Sequence, residues 1–455
     1  MRTSVIRFII TILISLRFCI PALAWSEHPL LVYPVLSSLL ELKGKDPIIA
    51  KNLAAFLMEN EVELERMLSD YETWAQQNLT YYAPLPDELR FKATGNPDDI
   101  IQRFLYAIRL NPNVKLRLYL HLLPNEEVGD GITIDPRELT TLNDVSAMIH
   151  TTYVKIEEGE LVSPLRVLCT ANDEPDYGFD LGLFDDNNTP YGAMYGFGNQ
   201  PFGDPNLEYG SQAPFHMGFY HEPKIVFFFG PFLKKTMPEF RISLFKALSE
   251  FAFSSGNDYW GYRFMGWGMH YLGDLSMPYH AAPLPGVSAF RMIWTNIKAM
   301  LGFPKSKNNA VQLVSNRHSV LEQFQWQQLR DAYIKDDDNH PMIAALHKPI
   351  EYVEYTSDFP VTIIAKESVA RAKMVDKSLK KWMPHQLVSV PEFETPGSPE
   401  LNRIIDLTRE EKGEEAVENM TLLIADIFRS YSMHIRSFYS SIAKPEAETV
   451  AQAVP

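Results

Sequence analysis

Apolar residues recur three and four apart along most of the chain, the spacing that gathers them on one face of an α-helix. Leu31, Pro34, Val35, Leu39 and Leu40 form the first such face. Over residues 49–68 the same spacing continues, with Glu59, Glu61, Glu63 and Glu65 set among the apolar positions, which predicts an amphipathic helix. Residues 99–110 and 144–153 carry the same signal. Asp135-Pro136-Arg137-Glu138 reads as a helix start, with Asp135 as cap and Pro136 at the first helical position, where its missing N–H costs nothing. Helices are predicted again over residues 238–254, 260–277 and 408–439. In the last of these, Val417, Leu422, Leu423, Ile427, Phe428 and Ile435 form the apolar stripe. The acidic run 410–418 lies near its start, where the helix dipole favours negative charge.

Between residues 171 and 223 the periodicity stops. Asp, Asn, Gly, Pro and aromatic residues dominate, as in Pro190-Tyr191-Gly192-Ala193-Met194-Tyr195-Gly196-Phe197-Gly198. Long irregular segments are usually functional or disordered, and this density of aromatic residues argues against disorder. The pattern as a whole predicts an all-α fold, with a long irregular insertion in the middle and extra helices at the C-terminal end.

The ends differ from the body. Arg2 and Arg7, the apolar run 8–14 and Ala22-Leu23-Ala24 supply the three parts of a cleavable secretory signal. Residues 1–24 are therefore expected to be removed, leaving one helical domain over 25–440 and a flexible tail over 441–455. Arg17 interrupts the apolar stretch, and a charge at the centre of an inserted helix costs roughly 2.5–3.5 kcal/mol, which argues against a permanent anchor. Elsewhere the run Ile225-Val226-Phe227-Phe228-Phe229 is too short to span a bilayer and is closed by Gly230-Pro231. The expectation is export through an inner membrane, to a periplasmic or extracellular location, with no stable span after processing.

Export changes the charge and redox picture. The formal net charge of −15 becomes −18 once the three arginines of the signal leave. Such a chain has no general attraction for nucleic acid or anionic lipid, so a bound phosphate needs a local cation. Cys19 lies in the signal and Cys169 stands alone in the remainder, so no internal disulfide can form. The core, or bound metal, must hold the fold.

The sharpest chemical signal is Met269-His270-Tyr271-Leu272-Gly273-Asp274-Leu275-Ser276-Met277-Pro278-Tyr279-His280. Helical residues four apart share a face, with Cβ atoms roughly 5–6 Å apart, so His270 and Asp274 can converge on one ion. Pro278 disfavours helix at Met277, and the turn beyond delivers His280 near the same face. Imidazole and carboxylate together suit zinc. His318 and Glu322 are again four apart. Asp176 and His216 lie in the irregular stretch, where Asp173 and Asp180 compete with the first and His221 with the second. Cleavage after Ala24 would expose the α-amine of Trp25, whose pKa near 7.7–8.0 allows a metal to displace its proton; His28 follows three residues on.

Taken together, these motifs resemble the zinc-dependent phospholipase C / P1 nuclease superfamily. The run His-Tyr-Leu-Gly-Asp…Pro-Tyr-His-Ala-Ala is most similar to bacterial, Legionella-type phospholipase C. The resemblance covers Trp25 to His28 and roughly residues 173–325. It implies an all-α protein with three zinc ions in a cleft. His270, Asp274, Asp176 and His216 would bind the first ion, His280, His318 and Glu322 a second and more open one, and Trp25 with His28 the third. Two gaps, from Asp176 to His216 and from His280 to His318, are longer than the family's, and His28 follows Trp25 more closely.

The resemblance implies hydrolysis of a phosphate ester, with Asp176 orienting or deprotonating the attacking water. A phospholipase C releasing diacylglycerol and a phosphorylated head group from a phospholipid at a membrane surface is the expected activity. The aromatic loop 191–202 would either meet that lipid or pack on the protein. A single-strand nuclease or 3′-nucleotidase is the alternative, disfavoured by the acidic balance, and a non-enzymatic metal-binding protein is the third.

Overall fold

A computed structural model describes residues 27–348 and 353–443. The predicted signal peptide, Trp25 and the tail beyond residue 443 lie outside the described residues.

The fold is all-α. In chain order its principal helices are α1 (Pro29–Ser37), α2 (Glu61–Asn78), α3 (Ile100–Ala107), α4 (Pro164–Ala171), α5 (Glu208–His216), α6 (Lys224–Phe229) and α7 (Pro238–Ser254). They continue with α8 (Asp258–Ser276), α9 (Pro278–Ala281), α10 (Ala289–Met300), α11 (Lys305–Ile334), α12 (Lys366–Trp382), α13 (Ile404–Lys412) and α14 (Glu414–Ala443). Two antiparallel strand pairs interrupt them. Ile48–Ile49 pairs with Leu161–Val162, and Tyr119–Leu122 with Thr152–Lys155 in the register Tyr119 to Lys155.

α8 is the axis of the fold. Every residue from Tyr259 to Ser276 is buried, the polar Arg263, His270 and Asp274 included. The helix packs against α4, α7 and α14; its Trp267 and Tyr271 rings meet Phe245 of α7, and Trp260 and Phe264 meet Phe56. A Cβ on Gly266 would lie 2.6 Å from Ala171 Cβ and 2.7 Å from the Leu168 carbonyl oxygen, so this glycine is what lets α4 approach so closely. One contiguous apolar cluster reaches from Leu30 in α1 to Tyr439 in α14, so the C-terminal helices help to build the core around α8. Cys169 is a free, buried thiol within it.

Several local expectations change. Residues 144–153 form a short 3-10 turn at Ser146–Met148 and then a strand, because β-branched Thr151, Thr152 and Val154 favour extended backbone and pair with Tyr119–Leu122. The predicted start at Asp135 does cap, its carboxylate accepting the Arg137 N–H at 2.9 Å, but only a 3-10 turn follows. Residues 49–68 are broken at Asn52, which caps Leu53–Glu59, and again at Asn60. The long C-terminal helix is split at Gly413, whose φ of 86° ends α13 before α14 begins. The stretch 171–223, expected to be irregular, holds only short turns as far as residue 207 but then forms the helix α5 at Glu208–His216, seven of whose nine residues are buried and held by packing rather than by a periodic apolar stripe. The aromatic residues before that helix turn inward, however: Tyr191, Tyr195, Phe197 and Phe202 are buried, so the 191–202 loop does not offer them to lipid. Among the described residues no helix is long and apolar enough to cross a membrane.

Candidate metal centre

α8 carries His270 and Asp274 one turn apart on its buried face, with His270 Nε2 3.4 Å from Asp274 Oδ2. The helix ends where Pro278 requires, with Met277 extended at φ −83° and ψ 121°, and α9 then brings His280 Nδ1 to 3.2 Å from Asp274 Oδ1. His318 and Glu322 share a face of α11, their Nε2 and Oε1 2.8 Å apart, and His318 Nε2 lies 3.1 Å from His280 Nε2.

The remaining donors arrive from elements distant in sequence. Asp176 sits in the 3-10 turn Glu174–Tyr177. That turn is fastened to α8 by Glu174, which accepts hydrogen bonds from Arg263 Nε at 2.9 Å and Trp267 Nε1 at 2.6 Å. His216 closes α5, with Nδ1 2.8 Å from Asp274 Oδ2 and 3.2 Å from His270 Nε2. His28 stands at the N-terminal end of α1. Its ring lies 4.1 Å from the His270 ring, centre to centre, and its Nε2 is 3.7 Å from Asp176 Oδ2 and 4.0 Å from Asp274 Oδ1.

Three donor groups result: His28, His270 and Asp274; Asp176, His216 and His270; and His280, His318 and Glu322. Within each group the donor atoms lie within 4.8 Å of one another. Asp274 joins them, since its two oxygens face His28, His216, His270 and His280. His28 Nε2, Asp274 Oδ1, His280 Nδ1 and both oxygens of Glu322 are buried without a hydrogen-bond partner. Leaving such atoms unpaired is costly, about 1–3 kcal/mol for each neutral group and more for a charge. Facing imidazole nitrogens near 3 Å and orphaned carboxylate oxygens fit a cation among them, so these buried groups can hold metal ions.

The electrostatics agree. Burial alone would raise the Asp274 carboxyl, but the His270, His280 and His216 imidazoles outweigh it and hold Asp274 well below the usual carboxylate range. Burial lowers His28 well below its ordinary value and His270 to about 4, so both present neutral nitrogens. Burial would lower His216 too, but the Asp180 and Asp274 carboxylates raise it to about 10. Burial pushes Asp176 up, despite the nearby His216. Without a metal, then, the centre recruits a proton onto His216 to offset its carboxylates.

Neighbouring residues fix the donors. The Asn172 carbonyl accepts from His270 Nδ1 at 2.8 Å and so aims Nε2 at the cluster; Asn172 follows α4, whose approach depends on Gly266. Asp180 accepts Arg241 Nε at 2.9 Å and the Tyr271 hydroxyl at 2.5 Å, and lies 3.5 Å behind His216 Nε2. Asp173 accepts the His28 backbone N–H at 2.9 Å and the Tyr177 hydroxyl at 2.9 Å. Of the three competing aspartates, Asp176 alone has both oxygens turned to the histidines, while Asp173 and Asp180 serve as braces. His221 is elsewhere, exposed, with Nε2 2.7 Å from the Val361 carbonyl. His121 escaped sequence reasoning, as no motif surrounds it; its Nδ1 is buried 3.6 Å from Asp173 Oδ2.

The donors differ in their exposure to solvent. The His280, His318 and Glu322 side chains are at most 2% exposed. Asp176 is 17% exposed, and it lines a small cleft with Glu27, Met148, Thr151, Tyr153 and Tyr209. No family model, curated protein or solved structure matches this chain.

Proposed function

We propose that this protein is an exported zinc-dependent phospholipase C, which hydrolyses the glycerol-side phosphodiester of phospholipids to diacylglycerol and a phosphorylated head group. The observation that carries this reading is the position of Asp176. It is the one partly exposed carboxylate in a continuous set of donors running from His28 through Asp274 to Glu322. The all-α frame, the helix-borne His270 and Asp274, and the His270 and His216 rings braced by Asn172 and Asp180 fit the superfamily that the motifs resemble. The imidazole and carboxylate donor set suits zinc better than the oxygen-only set preferred by magnesium or calcium.

His270, His216, Asp176 and Asp274 would hold one ion, His280, His318 and Glu322 a second, and His28 with Asp274 and the Trp25 amine a third. Zinc bound there supplies positive charge for the phosphoryl oxygens and lowers the pKa of a water toward about 7. The protein's own part is positional. Asp176, at the cleft, orients the attacking water and accepts its proton. Asp274, with its pKa held down, keeps its charge and ties the groups together. Asn172 and Asp180 hold the His270 and His216 rings in place. The buried carboxylates exclude anionic substrate unless cations are present, which makes activity conditional on metal.

The test is phosphocholine release from phosphatidylcholine, run beside nucleotide release from single-stranded DNA, each with and without a chelator. Release from lipid that stops on chelation and falls about 10²–10⁴-fold in Asp176→Asn is expected. Activity on DNA alone would replace this reading with the nuclease, and chelator-resistant activity would remove zinc from it.

A further inference from the structure

A second, smaller apolar core lies beside the main one. Phe202, Phe219, Val226, Leu233, Met292 and Val311 form it, and α6 and α10 pack together upon it. The outer faces of these helices and the turn after α10 are strongly apolar. Phe290 is 80% exposed, Phe228 76%, Leu301 70%, Phe303 69% and Trp294 50%. Phe290 and Trp294 are four apart and so share one face of α10, while Met292 points into the small core. Isolated exposed apolar residues are ordinary, but a grouped set of this kind marks an interaction surface.

The charge along the segments that carry it is opposite in sign to that of the chain as a whole. No carboxylate occurs between Asp274 and Glu322, nor between Glu222 and Glu239, in a chain of formal net charge −15. Those stretches carry Lys224, Lys235, Arg291, Lys298 and Lys305. Lys298 Nζ lies 5.5 Å from the centre of the Trp294 ring, placing cation and aromatic side by side. The patch also adjoins the metal centre along the chain. Pro283 and Leu284, three and four residues after His280, line the groove between α6 and α10. Its α10 and 301–303 parts lie on the 281–317 connection that is longer than the motif resemblance leads one to expect.

From this juxtaposition we infer that α6, α10 and the turn at residues 301–303 form a docking surface for an anionic phospholipid bilayer. Aromatic and aliphatic side chains flanked by Lys and Arg, with no acid among them, are what an interfacial helix presents to lipid. Trp294 suits the head-group level, where an amphipathic ring sits best. A second copy of the chain fits less well, because two-fold pairing of this patch with itself would oppose like charges. Docking here would bring a lipid surface beside the centre. That benefit rests on the phospholipase reading, whereas lipid binding as such does not.

The experiment is cosedimentation of the mature protein, on ice, with vesicles of phosphatidylglycerol and phosphatidylcholine in equal parts and with vesicles of phosphatidylcholine alone. Binding is expected to be tighter on the anionic vesicles by about tenfold or more, and to weaken with salt. Phe290→Ser with Trp294→Ser should lose binding to both vesicles, and Lys298→Glu with Lys305→Glu should lose the anionic preference. Thermal unfolding checks that both variants fold. Unchanged vesicle binding by folded variants would overturn the proposal. So would a lipid-free dimer of the parent that Phe290→Ser with Trp294→Ser dissociates, since that gives the patch to a second copy. Hydrolysis of a monomeric short-chain phosphatidylcholine separates the two ideas. Variants that lose vesicle binding while no form of the protein cleaves this substrate leave docking standing and remove the phospholipase, and intact cleavage with unaltered vesicle binding does the reverse.

Discussion

Asp274 Oδ1 lies 3.2 Å from His280 Nδ1, although one residue is on α8 and the other on the turn of helix beyond Pro278. This contact links a donor group on α8 to the one completed by α11. Asp274 Oδ2 meanwhile faces His216 at 2.8 Å and His270 at 3.4 Å. Replacing this one carboxylate should therefore be felt across the whole centre. Asp274→Asn is expected to lose more than one metal ion per chain, whereas Glu322→Gln, confined to the group with His280 and His318, should lose a single ion. Elemental analysis of the purified variants reads this directly. Equal losses in the two variants would show that Asp274 does not join the groups.

Metal should also stabilise the fold. The orphaned nitrogens and oxygens of His28, Asp274, His280 and Glu322 are buried in the native state and solvated in the unfolded one. A ligand that binds only the native state adds about 2.7 kcal/mol when present at a hundred times its dissociation constant. Chelation is expected to lower the Tm by several degrees, and added zinc to restore it, in a scanning calorimeter. A Tm indifferent to chelator would mean that the donors are satisfied without metal.

The centre was legible in the sequence wherever a single helix or turn carries the geometry. His270 and Asp274 converge because four residues make about one helical turn, and His280 follows because Pro278 ends the helix. His318 and Glu322 obey the same rule on α11. What one sequence does not encode locally is how distant segments meet. Asp173, Asp176 and Asp180 all lie within one irregular stretch, and only the anchoring of Glu174 by Arg263 and Trp267 sets which of them faces the histidines. The bracing carbonyl of Asn172 carries no sequence signal, because any residue at that point of the backbone offers one. The inward turn of Tyr191 and Tyr195 was equally hidden, as aromatic residues in a Gly-rich loop have no period from which to read a face.

The bracing of His216 can be tested apart from the donors. Asp180 holds its place through Arg241 and the Tyr271 hydroxyl, all buried. Tyr271→Phe removes one donor to a buried carboxylate and keeps the ring packing. Stability is expected to fall by about 1–3 kcal/mol, and metal affinity by about 10–100-fold. Urea unfolding of the metal-free protein gives the first, and competition against a chelator the second. Unchanged affinity would make Asp180 a purely structural partner of Arg241.

Trp25 lies two residues before Glu27, which lines the cleft at Asp176, and three before His28, whose Nε2 has no partner. If its free amine completes the third group, a protein beginning Met-Trp25 should hold one zinc fewer than the protein beginning at Trp25. Elemental analysis of the two forms decides it, and equal zinc content would remove Trp25 from the centre.

The last prediction concerns a carboxyl far from the metal centre. Glu239 lies in the first turn of α7, 8% exposed, and burial raises it from the ordinary 4.5 to about 7. A raised carboxyl pKa means that the folded state holds the proton more tightly than the unfolded state. The favourable contribution is complete below pH 4.5, is lost progressively as pH rises through 7, and stays lost above that. Glu239→Gln keeps the shape and removes the titration. The variant should match the parent at and below pH 4.5 and exceed it at pH 8 by about 3 kcal/mol, at 1.36 kcal/mol per pKa unit. Urea denaturation of both proteins across this range measures the difference, and a gap that does not change with pH would show that Glu239 binds its proton equally in the folded and unfolded states.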